Sequence, residues 1–136
     1  MVKEEVILVN FWSSPFGSRV KIALEEKGIH YEYYKDEDLF HKSSFLSTIN
    51  PVHNEVPVLI HNHISICQSL NIVEYIEESW PDRSPQFLPS DPLQRSQARF
   101  WADFIDKKVF IFFLQLKSSI RLTVFVDFVH YIDSFC

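Results

Sequence analysis

Trp12-Ser13-Ser14-Pro15-Phe16-Gly17-Ser18-Arg19 decides the fold, because an apolar run ends where it begins and an amphipathic run begins where it ends. Upstream, Val6-Ile7-Leu8-Val9-Asn10-Phe11 reads as a buried strand. Downstream, Val20-Lys21-Ile22-Ala23-Leu24-Glu25-Glu26-Lys27-Gly28 reads as a helix with a glycine stop. Unpaired backbone N–H groups and the positive end of a helix dipole meet at such a junction, which makes it a place for an anion. Pro15 suits the first helical position, since its missing N–H has no helical partner to lose. Ser14 suits the cap before it. From spacing alone, Ser14 is either a plain N-cap or a cap whose hydroxyl also serves a bound anion.

Working outward, the first helix is expected from about Pro15 to Lys27, with Val20, Leu24 and Lys27 along one stripe and Ala23 beside it. Ile29 to Lys35 is aromatic enough for a second strand, so a strand, a helix and a parallel strand make a βαβ unit. Asp36 to Ser44 is polar and reads as a loop, and a short helix follows from Ser44 to about Ile49. Asn50-Pro51 closes that helix, because the residue before proline is pushed out of the helical region. Val56-Pro57-Val58-Leu59-Ile60-His61, a turn at Asn62-His63, and Ile64-Ser65-Ile66-Cys67 read as a hairpin. Pro57 belongs at a strand start or edge, and in a cis bond or not. Ser69 is the expected cap of a helix from Leu70 to about Trp80. Three prolines between Pro81 and Pro89 mark a linker, and Ser90-Asp91-Pro92 starts a further helix carrying Leu93, Gln97, Phe100, Trp101, Phe104 and Ile105 on one stripe.

The element order is βαβαββα, then a linker, then a helix. The expectation is an α/β thioredoxin-like domain with a mixed sheet over residues 1–80, a linker over 81–90, and the beginning of an all-helical domain over 91–136. A net charge of −5 and no Lys/Arg cluster speak against a nucleic-acid partner. The two cysteines, Cys67 and Cys136, have no metal-binding or redox spacing, so no metal site is expected and a reducing, cytoplasmic compartment is the default. No clean apolar run has the length of a membrane span, and the N-terminus lacks a signal-peptide core.

These stretches resemble the glutathione S-transferases, specifically the plant tau class. The resemblance is carried by Phe11-Trp12-Ser13-Ser14-Pro15-Phe16, Arg19 through Gly28, Glu37-Asp38-Leu39 with Lys42-Ser43, and Asn50-Pro51-Val52-His53. It continues through Val56-Pro57-Val58-Leu59-Ile60, Ile66-Cys67-Gln68-Ser69, Leu88-Pro89-Ser90-Asp91-Pro92 and Ala98 through Phe104. The motifs keep the family's order and spacing from about residue 5 to residue 108. The resemblance implies conjugation of reduced glutathione, a co-substrate and not a cofactor, to small hydrophobic electrophiles in detoxification and stress responses. It implies that the Ser14 hydroxyl stabilises the glutathione thiolate, with Ser13 as second choice. It implies further that Lys42 reaches the glycine carboxylate, that the Val56 backbone pairs with the cysteinyl unit beside a cis Pro57, and that Ser69 holds the γ-glutamyl carboxylate. A homodimer is implied too, with an interface that the helical domain largely supplies. A glutaredoxin-like reductase needs a cysteine where this chain has Ser14, so conjugation is expected over thiol transfer.

Two departures stand against the pattern. Gln68 occupies a position where the family has a glutamate facing the ligand's α-amino group, and exchanging a charge-assisted bond for a neutral one costs about 1 kcal/mol. After Lys108 the resemblance stops. Of the 28 residues from Val109 on, 18 are apolar, and six of the chain's 13 phenylalanines fall there. The expectation for this tail is a read-through or truncation product, with a membrane anchor as the other reading. For the whole chain the alternative to an enzyme is a non-catalytic glutathione-binding fragment.

Overall fold

The computed structural model describes residues 4–35 and 44–109. Four strands, β1 (Val6–Asn10), β2 (Glu32–Lys35), β3 (Val58–His61) and β4 (Ile64–Cys67), form one sheet in the order β2-β1-β3-β4. β2 runs parallel to β1, while β3 is antiparallel to both β1 and β4, so the sheet is mixed as the element order predicts. The helices among the described residues are α1 (Pro15–Glu26), α2 (Ser44–Ile49), α3 (Ser69–Ser79) and α4 (Pro92–Phe104), the last followed by a π-helical turn, Ile105–Val109.

The period-two alternation of a strand sorts β1 between two cores. Val6 and Leu8 face a cluster with Val20, Ala23 and Leu24 of α1, Leu59, and Ile72 and Ile76 of α3. Ile7 and Val9 face the opposite cluster with Leu46 of α2, Val58 and Ile60. One sheet thus buries both faces, which is why β1 and β3 read as continuous apolar runs with little alternation. Strand β2 is exposed along its length at the sheet edge, carrying Glu32 and Lys35.

Helix α1 ends as Gly28 requires. Gly28 adopts φ 60, its N–H donates to the Glu25 carbonyl, and the Ile29 N–H donates to the Leu24 carbonyl, the paired bonds of a Schellman cap. Lys27 sits on the apolar stripe and is 3% exposed. Its Nζ pairs with Glu77 Oε2 of α3 at 2.8 Å and donates to the Arg83 carbonyl at 2.8 Å and the Trp80 carbonyl at 3.4 Å. The Phe87 ring lies 5.0 Å from it. Arg83 returns the contact by donating from Nη1 to the Gly28 carbonyl at 2.8 Å. Burial alone raises the Glu77 carboxyl, but the hydrogen bond and charge of Lys27, with the Phe87 and Leu88 N–H groups, hold it below the usual carboxylate range.

Several boundaries move. β2 opens at Glu32 and not at Ile29, and β3 opens at Val58 and not at Val56, since Pro57 has no N–H to give the ladder; the Val56–Pro57 bond is cis. Gln68 caps α3 and Ser69 is its first helical residue, one position from the expected cap. The contacts divide the chain into two units, Met1–Leu88 and Pro89–Cys136. In the second, α4 starts as its sequence predicts: Pro92 is in the first turn and Asp91 Oδ2 accepts the Gln94 N–H at 2.8 Å. Phe100, Trp101 and Phe104 stack edge to face along it, and no residue of α4 is buried. Among the described residues no helix is long and apolar enough to cross a membrane. The tail beyond Val109 lies outside the described residues, and so does Lys42.

Candidate functional site

Register places Ser14, Val56, Gln68 and Ser69 at one end of the sheet. Val9 of β1 stands opposite Val58 of β3, and Val58 opposite Cys67 of β4. The chain therefore leaves β1 toward Ser14, enters β3 from Val56, and leaves β4 into Gln68 and Ser69, all at that end. Two helix N-termini, those of α1 and α3, open there, and the positive end of a helix dipole favours an anion.

Ser14 is half-buried, has extended backbone angles and caps α1. Its own N–H donates to the Phe11 carbonyl at 3.0 Å, closing the turn that lifts it off the strand. Its Oγ accepts the Gly17 N–H at 3.1 Å. A hydroxyl has one proton to donate and two lone pairs. With Oγ engaged as an acceptor by the helix, the hydroxyl proton is not used by that bond and remains for another acceptor. Cap and anion donor are therefore compatible roles of the same oxygen.

Beneath this turn lies Asn10, the last residue of β1, 3% exposed. A Cβ on Gly17 would fall inside the Asn10 side-chain amide. Asn10 Oδ1 is buried and has no hydrogen-bond partner among the described residues. The first turn of α1 thus rests flat against a polar side chain, and only glycine permits that approach. Gly17→Ala is expected to destabilise the chain by about 1–3 kcal/mol through overpacking. Asn10→Ala in the same chain restores most of that loss, and urea denaturation of the three variants measures both steps.

The second helix joins the first through Arg19. Its Nη1 donates to Ser69 Oγ at 2.8 Å, and its guanidinium lies 5.8 Å from the Phe16 ring. Ser69 is 6% exposed, whereas Gln68 is exposed, with φ 73 and no side-chain cap bond. A non-glycine residue at positive φ stores strain and tends to stand where function asks for it. Val56 is half-buried and packs against the α2-side cluster. The loop before it is pinned by Asn50, whose Nδ2 donates to the Glu55 carbonyl at 2.9 Å and whose Oδ1 accepts the His53 N–H at 3.3 Å. Burial pushes the Cys67 thiol up, so it is a weak nucleophile beside this end of the sheet.

Ser14, Val56, Gln68 and Ser69 are thus gathered at one sheet end. Arg19 and Asn10 join them, although neither carries a role when the sequence is read. The signal for Arg19 is a cation five residues beyond a cap, on the helix that follows the anion junction. For Asn10 it is a polar residue closing an otherwise apolar strand.

A mixed four-stranded sheet with a serine, and no cysteine, at the first helix cap defines a thioredoxin-like domain of the non-cysteine kind. Residues 4–78 match the family model described as the glutathione S-transferase N-terminal domain. A probable glutathione S-transferase, parC, of Nicotiana tabacum is 60% identical over 112 residues, which is 82% of this chain and 50% of that protein. Glutathione S-transferase U22 of Arabidopsis thaliana is 57% identical over 107 residues, 79% of this chain and 48% of that one. The tau class glutathione S-transferase of mango, Mangifera indica, superposes with a TM-score of 0.78 at 43% identity, covering 92% of this chain and 57% of that one. A rice enzyme solved in complex with glutathione superposes with a TM-score of 0.71 at 41% identity, covering 79% of this chain and 49% of that one. The chain belongs to the glutathione S-transferase family, in its tau class. It spans about half the length of the curated relatives it matches.

Proposed function

We propose that this chain binds reduced glutathione at the sheet end formed by Ser14, Val56, Gln68 and Ser69 and transfers its thiolate to small hydrophobic electrophiles. The observation that carries the reading is Ser14 at the cap of α1, its Oγ accepting the Gly17 N–H at 3.1 Å and its hydroxyl proton thereby left for a ligand. A free thiol with a pKa near 8.5 is mostly protonated at neutral pH, and a hydroxyl donor with a helix dipole behind it favours the thiolate. Ser69 and the first turn of α3, with Arg19 beside them, suit the γ-glutamyl carboxylate. The backbone of Val56 suits the cysteinyl unit, as an extended segment before a strand pairs with a peptide. Lys42 is assigned to the glycine carboxylate on the resemblance alone.

The domain division at 1–80, 81–90 and 91–136, the homodimer, the detoxifying role and a cytosolic setting belong to the same reading. The test is a conjugation assay of the purified chain with glutathione and a chlorinated aromatic acceptor, run beside a glutathione titration. Saturable binding with thioether formation above the uncatalysed rate is expected. Binding without turnover assigns the chain as a glutathione-binding module, and folded protein that binds no glutathione overturns the proposal.

A further inference from the structure

Away from the Ser14 end of the sheet, three titratable side chains meet in one line. His61 is the last residue of β3, at the opposite end of that strand from Val56, and its side chain is only 10% exposed. Its Nδ1 lies 2.7 Å from the Tyr75 hydroxyl of α3, and its Nε2 lies 3.0 Å from Glu4 Oε1, just ahead of β1. A carboxylate only accepts, so Nε2 carries a proton, and in the neutral ring Nδ1 then accepts the Tyr75 O–H. Trp80 completes the group: its ring stacks on His61 with centroids 4.9 Å apart and meets Tyr75 edge to face at 6.5 Å. Phenol and indole are the aromatic side chains that give up one electron, and a phenol does so readily only if its proton leaves with the electron. Here a proton acceptor stands within hydrogen-bond reach. The imidazolium that results keeps these partners without moving. Its Nδ1–H donates back to the phenoxyl oxygen, its Nε2–H pairs with Glu4, and its charge rests on the Trp80 face.

We propose that Tyr75 is a one-electron oxidation site of this chain, with His61 as its proton acceptor and with Glu4 and Trp80 holding the imidazolium that forms. The oxidant is of the organic peroxyl radical class. It takes one electron from the phenol and a proton from solvent, and leaves as the hydroperoxide. The Tyr75 O–H bond breaks, an N–H bond forms at His61 Nδ1, and a neutral tyrosyl radical remains. No step uses glutathione, so the inference stands or falls apart from the function proposed above.

The test is one-electron oxidation of the full chain by photogenerated tris(bipyridine)ruthenium(III), with radicals captured by a nitroso spin trap and mapped by peptide mass spectrometry. Tyr33 and Tyr34, exposed at 44% and 46%, are the internal controls, since a trap that reports access alone marks them above the half-buried Tyr75. The expected result is that Tyr75 leads the tyrosine adducts. In His61→Phe, which keeps a ring against Trp80 and removes the proton acceptor, the Tyr75 adduct falls at least about tenfold. Glu4→Gln alters a side chain that is 53% exposed, so it keeps the measurement available should His61→Phe not fold. It lowers the Tyr75 yield about threefold and leaves Tyr33 and Tyr34 unchanged. Adducts led by another tyrosine overturn the inference, and so does a Tyr75 yield that either folded variant leaves unchanged.

Discussion

Lys27→Met is expected to cost about 3–5 kcal/mol of stability, enough to consume much of the margin of an ordinary domain. The methionine keeps the apolar stem but leaves Glu77 in a pocket, 13% exposed, with its cationic partner gone. The Arg83 carbonyl loses its Nζ donor in the same step, while the Trp80 carbonyl keeps the Arg83 N–H at 3.2 Å. The double variant Lys27→Met/Glu77→Leu recovers most of the loss, since an apolar pair tolerates burial better than a lone charge. Urea midpoints of the three proteins are the measurement, and a single variant within about 1 kcal/mol of wild type would refute the argument. The same pair sets an acid limb. The folded Glu77 carboxyl lies below its unfolded value, so its contribution is present above an unfolded pKa of about 4.3 and is lost as pH falls through the folded one. That limb flattens in Glu77→Leu.

Ser14→Ala is expected to lower kcat/KM for conjugation by about a hundredfold or more, the usual cost of deleting one donor to a developing or bound anion. The cap is lost at the same time, because the Gly17 N–H no longer has the Oγ acceptor it uses at 3.1 Å. That adds a destabilisation of about 1 kcal/mol. The two effects separate by pH. Loss of the cap alone leaves the rate profile in place. Loss of the thiolate donor moves its rising limb up toward the free thiol value of about 8.5. Ser14→Thr keeps both the acceptor and the proton, and retains most of the activity. A Ser14→Ala chain with unchanged kcat/KM removes Ser14 from the chemistry.

Most of the fold was legible because its signals are local. The proline and serine at α1, the Gly28 stop, the Asn50-Pro51 break and the Asp91-Pro92 start each act within one turn of chain, and each stands where expected. What escaped was set by partners distant in sequence. Nothing around Lys27 announces a buried ion pair with a residue 50 positions on, so its place on the stripe names no partner for it. Arg19 needed Ser69, which only the fold brings to 2.8 Å. The shift from Ser69 to Gln68 at the α3 cap arose because serine is the better cap by type, while the backbone turn falls one residue earlier. The apolar stripe of α4 was visible as a stripe, but periodicity cannot say whether neighbouring atoms cover it, and here none of its residues is buried.

The way Lys27 is housed bears on how the chain must be made. Its partners, Glu77, Trp80, Arg83 and Phe87, all lie at least 50 residues later, and the central strand β1 waits equally long for β3, its Leu8 opposite Leu59. A nascent polypeptide that has exposed only its first βαβ segment holds a cationic lysine on an otherwise oily helix face and an unpaired strand edge. Docking is postponed until the stretch through Phe87 has cleared the ribosome, so the first unit is acquired in one late, cooperative step and not element by element during elongation.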